Sequence, residues 1–206
     1  MLWKKIVLSV VATVAGILLL EGALRILGAG GPAEPIVDAI NELNRIHGYN
    51  SDMGWVLVPG SSGRQRLPDF DVVYRINDEG FRDDRVYPET HDTRRALLFG
   101  DSFAFGIGVS NEETFAKKSE KETGHEVLNF GVSGYDPGQY LLALKKAQLT
   151  YHADAVIFST YLGNDIEDVL LDHLFAQPEK NKPYFVLEEG HLELRGIPVR
   201  RPEIFA

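Results

Sequence analysis

The chain contains no cysteine. Disulfides, thiolate nucleophiles, Cys-ligated zinc and iron–sulfur clusters are therefore excluded. Basic charge is scarce as well: 21 Lys and Arg stand against 30 Asp and Glu, a formal net charge of -9. Binding to a phosphate backbone needs a basic surface, so nucleic acid is not an expected partner. No internal repeat and no low-complexity segment occurs. Gly106 and Gly108 resemble a phosphate loop only superficially, because no Gly-Lys-Ser/Thr follows them. What remains is an ordinary globular composition, 44% hydrophobic and 25% charged over 206 residues, which can bury a core.

The amino terminus departs from that composition. Lys4 and Lys5 precede an uncharged apolar run from Ile6 to Leu20, and the apolar character continues past Glu21 to Leu27, interrupted only by Arg25. With its flanks the stretch reaches the roughly 20 residues of a membrane span. Residues 1–27 are thus expected to be a transmembrane signal anchor with the lysines on the cytoplasmic side. The competing expectation is a cleaved signal peptide, although no clean small-residue cleavage site follows the run. Either puts the rest of the chain outside the cytoplasm: anchored in a bacterial envelope under the first, secreted under the second.

Residues 28–94 read as a linker and an extension. Gly28 to Pro35 is rich in Gly, Ala and Pro, Ile36 to His47 has a weak helical period, and Asn50 to Asp84 is turn-rich. Short strands are expected at Trp55 to Val58 and Val72 to Ile76, between turns at Pro59-Gly60, Pro68-Asp69 and Asn77 to Gly80. Residues 95–206 carry an α/β pattern. Strands are expected at Ala96 to Phe99, Val127 to Phe130 and Ala155 to Leu162, the last apolar enough to be covered on both faces. Helices are expected at Glu112 to Thr123, closed by Gly124, and at Gly138 to Tyr151. Strand–helix–strand–helix–strand predicts a doubly wound parallel sheet. A short helix from Ile166, a charged stretch from Gln177 to Pro183 and a hairpin from Tyr184 to Leu194 turning at Glu189-Gly190 complete the reading.

Open parallel sheets bind ligands at the carboxyl ends of their strands. Each expected strand ends in a polar, Gly-containing turn: Gly100-Asp101-Ser102, Asn129 to Gly134, and Gly163-Asn164-Asp165. Acyl transfer needs a nucleophile and preorganised donors for the developing oxyanion. Ser102 can supply the hydroxyl and its own N–H, Gly134 an unobstructed N–H, and Asn164 a side-chain amide. Each has a plainer reading: Ser102 as a helix cap beside Asp101, Gly134 as a turn glycine, Asn164 as the cap of the next helix, and Asp165 as a residue that fixes its loop.

These three blocks together resemble the SGNH (GDSL-type) hydrolases, over about Asn77 to Asp165; Asn77 to Arg82 also looks like a segment of membrane-anchored bacterial members. The resemblance implies a flavodoxin-like three-layer α/β/α sandwich, Ser102 as nucleophile, and Ser102, Gly134 and Asn164 as the oxyanion hole, with Gly100, Asp101, Gly163 and Asp165 in support. It implies an ester substrate (an acyl lipid, acylated glycan or small ester) and no metal or organic cofactor. The family's Asp-x-x-His does not occur in this chain. His47 and His91 precede the core pattern, while His125 and His152 lie before the second and third strands, at the opposite edge. His173 is the best internal candidate, ahead of His191. The expectation is a domain incomplete at its carboxyl end, with the third strand as an unpaired edge and the base encoded beyond Ala206. The leading function is ester hydrolysis; the alternatives are O-acyl transfer to a cell-surface polysaccharide and a non-catalytic glycan-binding or scaffold module.

Overall fold

The computed structural model describes residues 2–26, 43–175 and 177–202. The chain divides into two units, Met1–Val37 and Asp38–Ala206. In the first, α1 spans Leu2–Ile26. Its Trp3–Arg25 stretch of 23 residues has a mean hydropathy of 2.3 and is long and apolar enough to cross a membrane. A membrane anchor and a signal sequence both fit it, and the Glu21–Arg25 pair at 2.8 Å ties its two late charges together. The linker expected over Gly28 to Pro35, and most of the helical stretch expected over Ile36 to His47, lie outside the described residues; the chain is already in a strand at His47.

The second unit is built on a parallel sheet of three strands, β5 (Arg95–Gly100), β6 (Glu126–Asn129) and β7 (Ala155–Ser159), in the order β6-β5-β7. Register is continuous on both sides of β5, with Leu97 opposite Leu128 and Val156, and Gly100 opposite Ser159. Side chains alternate across the sheet, as strand geometry requires. Leu97, Phe99 and Leu128 join one apolar cluster with Tyr140 and Ala147 of α4 (Pro137–Ala147). Leu98 and Val127 join another with Ala104 of α2 (Ser102–Phe105) and Ala116 of α3 (Phe115–Thr123). Helices therefore pack against both faces of the sheet.

Four antiparallel strands precede it: β1 (His47–Asn50) with β2 (Gly54–Leu57), and β3 (Ser62–Leu67) with β4 (Phe70–Arg75). Trp55, Leu57 and Tyr74 from these hairpins are buried in the same cluster as Leu97 and Phe99. After β7 come α5 (Asp165–Asp168), a hairpin of β8 (His173–Leu174) with β9 (Gln177–Asn181), and a hairpin of β10 (Tyr184–Glu188) with β11 (His191–Arg195). Glu189 and Gly190, both at positive φ, make the second turn.

Several expectations need correction. The helix expected over Glu112 to Thr123 is two elements, a 3₁₀ turn at Asn111–Glu113 and α3, because Thr114 leaves the helical region to cap α3 with its side chain on Lys117 N. Gln177 to Asn181 is a strand rather than an irregular charged stretch. The third parallel strand stops at Ser159, and residues 160–162 belong to the turn that follows. Its apolar composition predicts cover on both faces, yet Val156 is 41% and Phe158 48% exposed. Among the described residues β7 pairs only with β5, so it is a sheet edge.

The segment after β4 is tied to the end of α2 and the chain that follows it by a buried cation. Arg82 is 1% exposed. Its guanidinium donates to the carbonyls of Phe105, Gly106 and Val109 and to Asn111 Oδ1, and lies 4.6 Å from the Tyr74 ring centre and 4.7 Å from that of Phe105. Arg82→Met keeps the apolar stem but leaves buried carbonyls unpaired, at roughly 1–3 kcal/mol for each. The expected loss is about 3 kcal/mol or more, which lowers the melting temperature of a domain this size by roughly 6–12 °C. Thermal unfolding followed by circular dichroism checks it; an unchanged midpoint contradicts the assigned role.

Candidate active site

The first block turns sharply out of β5. A Cβ on Gly100 would stand 2.5 Å from Ala104 Cβ and 2.8 Å from Ser159 O, so only glycine allows the approach. Asp101 is the cap of α2: its Oδ1 accepts from Phe103 N at 2.9 Å. That leaves the Ser102 hydroxyl outside the capping bond. Ser102 is half-buried, and its Oγ lies 3.5 Å from Asp101 Oδ2, at the limit of a hydrogen bond. Burial raises the Asp101 carboxyl above its ordinary range, against the pull of the N–H groups around it.

The second block is laced onto the first. Phe130 N donates to Leu98 O at 2.8 Å and Val132 N to Gly100 O at 3.0 Å, carrying the β6 direction past its end. Asn129 Nδ2 donates to Ala104 O at 2.8 Å while its Oδ1 accepts from Gly131 N at 2.9 Å. Gly131 is so close to α2 that a Cβ would meet Phe105 N at 2.4 Å. Tyr135 N then closes a turn on Val132 O at 3.0 Å, with Gly134 at φ 80 inside it. No hydrogen bond engages the Gly134 N–H among the described residues. Trp55 Nε1 holds the turn by donating to Ser133 O at 3.1 Å, and Leu174 stands over Gly134 from the other side.

The third block follows β7. Tyr161 N donates to Asp165 Oδ2 at 2.9 Å, and Asp165 N returns to Tyr161 O at 3.1 Å. Asn164 precedes α5 but makes no capping bond; its Nδ2 donates to Asp168 Oδ2 at 2.8 Å. A side-chain amide carries two N–H groups, so this bond orients the amide and leaves the second N–H available. Asp168 is fixed in turn by Phe175 N at 2.9 Å. The Tyr161 ring sits 4.4 Å from that of Phe103, which joins this loop to the turn carrying Ser102. The Tyr140 hydroxyl, 3.0 Å from Asp165 Oδ2 and 3.2 Å from Tyr135 O, links it to the second block. Its one proton serves a single acceptor at a time.

Asp165 is the site's unusual acid. It is fully buried, and its Oδ1 has no hydrogen-bond partner. Burial is the main cause that raises its pKa to about 6; the Tyr161 N–H and Tyr140 hydroxyl oppose the rise, while Asp101 and Asp136 add to it. Nearby, Asp136 caps α4 through Gln139 N at 2.8 Å and pairs with the buried Lys182 Nζ at 2.5 Å.

Among the described residues no histidine hydrogen-bonds to Ser102. His173 Nδ1 lies 2.8 Å from Asp172 Oδ1. His47 is buried beside Leu43 O, and burial together with the Lys180 charge lowers it to about 3, which leaves it neutral and weakly basic. His125 and His152 are exposed and precede β6 and β7, at the edge opposite Ser102. Nor do three or more His, Asp or Glu gather as a metal-binding group among the described residues. Sequence reasoning overlooked the positioning residues Asn129, Gly131, Tyr140 and Asp168. Asp168 had a signal, standing one helical turn after Asn164; Asn129 stood inside the second block. No protein-family model matches the chain, and no curated protein matches it.

A raised carboxyl pKa favours the folded state most below the ordinary value near 3.8, and this contribution is lost as pH rises through about 6. Relative to Asp165→Asn, the native protein should therefore lose roughly 2–3 kcal/mol of stability between pH 4 and pH 7. His47 contributes the opposite slope in both proteins, since a lowered base destabilises on acidification, so the difference isolates Asp165. Urea melts of both proteins across that range provide the measurement; parallel curves would sink the assignment.

Proposed function

We propose that the second unit is an SGNH-type ester hydrolase domain with Ser102 as its nucleophile. What supports the reading most is a single arrangement: Gly100-Asp101-Ser102, Asn129 to Gly134 and Gly163-Asn164-Asp165 follow the carboxyl ends of three adjacent parallel strands, in the order β6-β5-β7. The flanking helices fit the three-layer α/β/α sandwich of that family. Ser102 Oγ attacks the acyl carbonyl as its proton passes to a base, and the oxyanion forms against the N–H groups of Ser102 and Gly134 and the second amide N–H of Asn164; the C–O bond to the alcohol then breaks, the alcohol leaves with that proton, and water hydrolyses the acyl-serine. One such donor contributes roughly 3–4 kcal/mol in the transition state. Asp101, Asn129 and Asp168 position these groups and do not touch the substrate. With α1 as a signal anchor, the domain lies outside the cytoplasm, facing acylated lipids or glycans of the envelope; an acyl acceptor in place of water turns the same site into an O-acyltransferase.

A second reading, a non-catalytic glycan-binding module, is favoured by one observation: no histidine reaches Ser102 among the described residues. Free imidazole supplies a base and separates the two. Under the hydrolase reading, a fluorophosphonate ester labels Ser102 in the presence of imidazole, and Ser102→Ala abolishes labelling. Asn164→Ala slows it by about 10²- to 10³-fold. Labelling that ignores both substitutions, or none at any imidazole concentration, supports the binding module instead.

A further inference from the structure

A cavity of about 350 Å³ opens beside α4, away from Ser102, within the size range of small-molecule sites. One stripe of α4 and the turn after it, Ala143, Lys146, Ala147 and Thr150, forms its wall at helical spacing. The two alanines create the space; a larger residue at either position would fill it. Facing them are Met53, Val56 and Leu57 from the β1–β2 region and Phe81. Several polar atoms bordering this interior are already used. Asn50 Oδ1 accepts from Asp52 N and Met53 N, and the Tyr135 hydroxyl donates to Trp55 O at 2.6 Å. The Glu79 carboxylate is held by the Tyr151 hydroxyl at 2.9 Å and Tyr87 N at 2.7 Å. An occupant of the interior therefore meets mainly apolar surface.

The mouth is different. Lys146 and Thr150 are exposed, and no carboxylate pairs with Lys146 among the described residues. We propose that this cavity binds the alkyl chain of a single-chain amphiphile, with its anionic head group on the Lys146 ammonium. The chain enters past Lys146 and runs inward toward Val132 and Tyr135, which border the turn holding Gly134. This site stands apart from the hydrolase reading and does not depend on it.

The test uses the full chain in nanodiscs of zwitterionic lipid with a diazirine-bearing hexadecanoic acid, and maps the crosslinked peptides by mass spectrometry. Crosslinks are expected within residues 53–57, 79–81 and 143–151, suppressed by unlabelled hexadecanoic acid. Ala143→Trp fills the cavity and Lys146→Glu repels the head group. Each should cut labelling of those peptides by about tenfold, the equivalent of 1.4 kcal/mol, while labelling of residues 3–25 stays unchanged. The Lys146 substitution lies on an exposed helix face, so it reports even if the filled variant folds poorly. Labelling confined to residues 3–25, or labelling of the cavity peptides that neither substitution reduces, overturns the proposal. Equal labelling by the corresponding diazirine-bearing alcohol overturns the role of Lys146.

Discussion

The buried guanidinium of Arg82 is the constraint on which the geometry of the candidate site depends. Ser102 sits on a four-residue helix, too short to hold itself, and the chain that follows from Gly106 to Ser110 has no ladder to join. Arg82 gathers that chain from outside, through the carbonyls of Phe105, Gly106 and Val109 and the side chain of Asn111. Burial lowers its pKa to about 10, so it stays charged at neutral pH. Desolvating such a cation costs several kcal/mol, and donation to four acceptors offsets it. Gly106 is a necessary counterpart, since a Cβ there would stand 2.8 Å from the guanidinium. Tyr74 completes the arrangement by accepting from Gly108 N at 3.0 Å and donating to Gln65 at 2.7 Å. The hairpins ahead of the sheet are thus part of the scaffold that orients the turn carrying Ser102.

A second buried charge works on the other flank. Lys182 Nζ donates to Asp136 at 2.5 Å and to Leu171 O at 2.7 Å, with both charged side chains out of solvent. Replacing such a pair by apolar residues can be neutral for stability, so its physical value lies in selecting one arrangement. Here it fixes the segment from Leu171 to Lys182 against the start of α4, directly after the Gly134 turn. Leu174 is brought over Gly134 as a result, opposite Trp55. The oxyanion candidate is held between a residue from β2 and a residue from β8, nearly 120 positions apart in sequence.

The parts of this structure that the sequence makes legible are those where local chemistry and tertiary environment agree. β5 and β6 are apolar runs ending in polar glycine turns, and the β10–β11 hairpin announces itself at Glu189-Gly190. The three blocks could be read for the same reason. Other parts had no local signal. β3, with Ser, Gly, Arg, Gln, Arg and Leu, shows little apolar content because its register rests on ion pairs of Arg64 and Arg66 with Asp71 and on the buried Tyr74–Gln65 bond. β9 contains a proline and a lysine, Lys180, that is 4% exposed against the Trp55 ring; only the fold makes that burial possible. Arg82 and Lys182 were invisible as core residues because composition places such side chains at the surface. Thr114 shows the reverse case: a residue weighed as part of a helix was the cap that divides it.

The strand β7 presents the remaining tension between composition and environment. Its residues are those of a strand covered on both faces, yet among the described residues no strand pairs with its outer edge, and the strand carries no charge or proline to blunt that edge. The exposed apolar surface does not end with the strand. Along the chain, exposed apolar side chains recur at Tyr161, Leu162, Ile166 and Leu170, and the Tyr161 ring lies against Phe103, the neighbour of Ser102. Because the Tyr161 and Phe103 rings lie together beside Ser102, burying that ring pair would also change the dielectric around the serine hydroxyl.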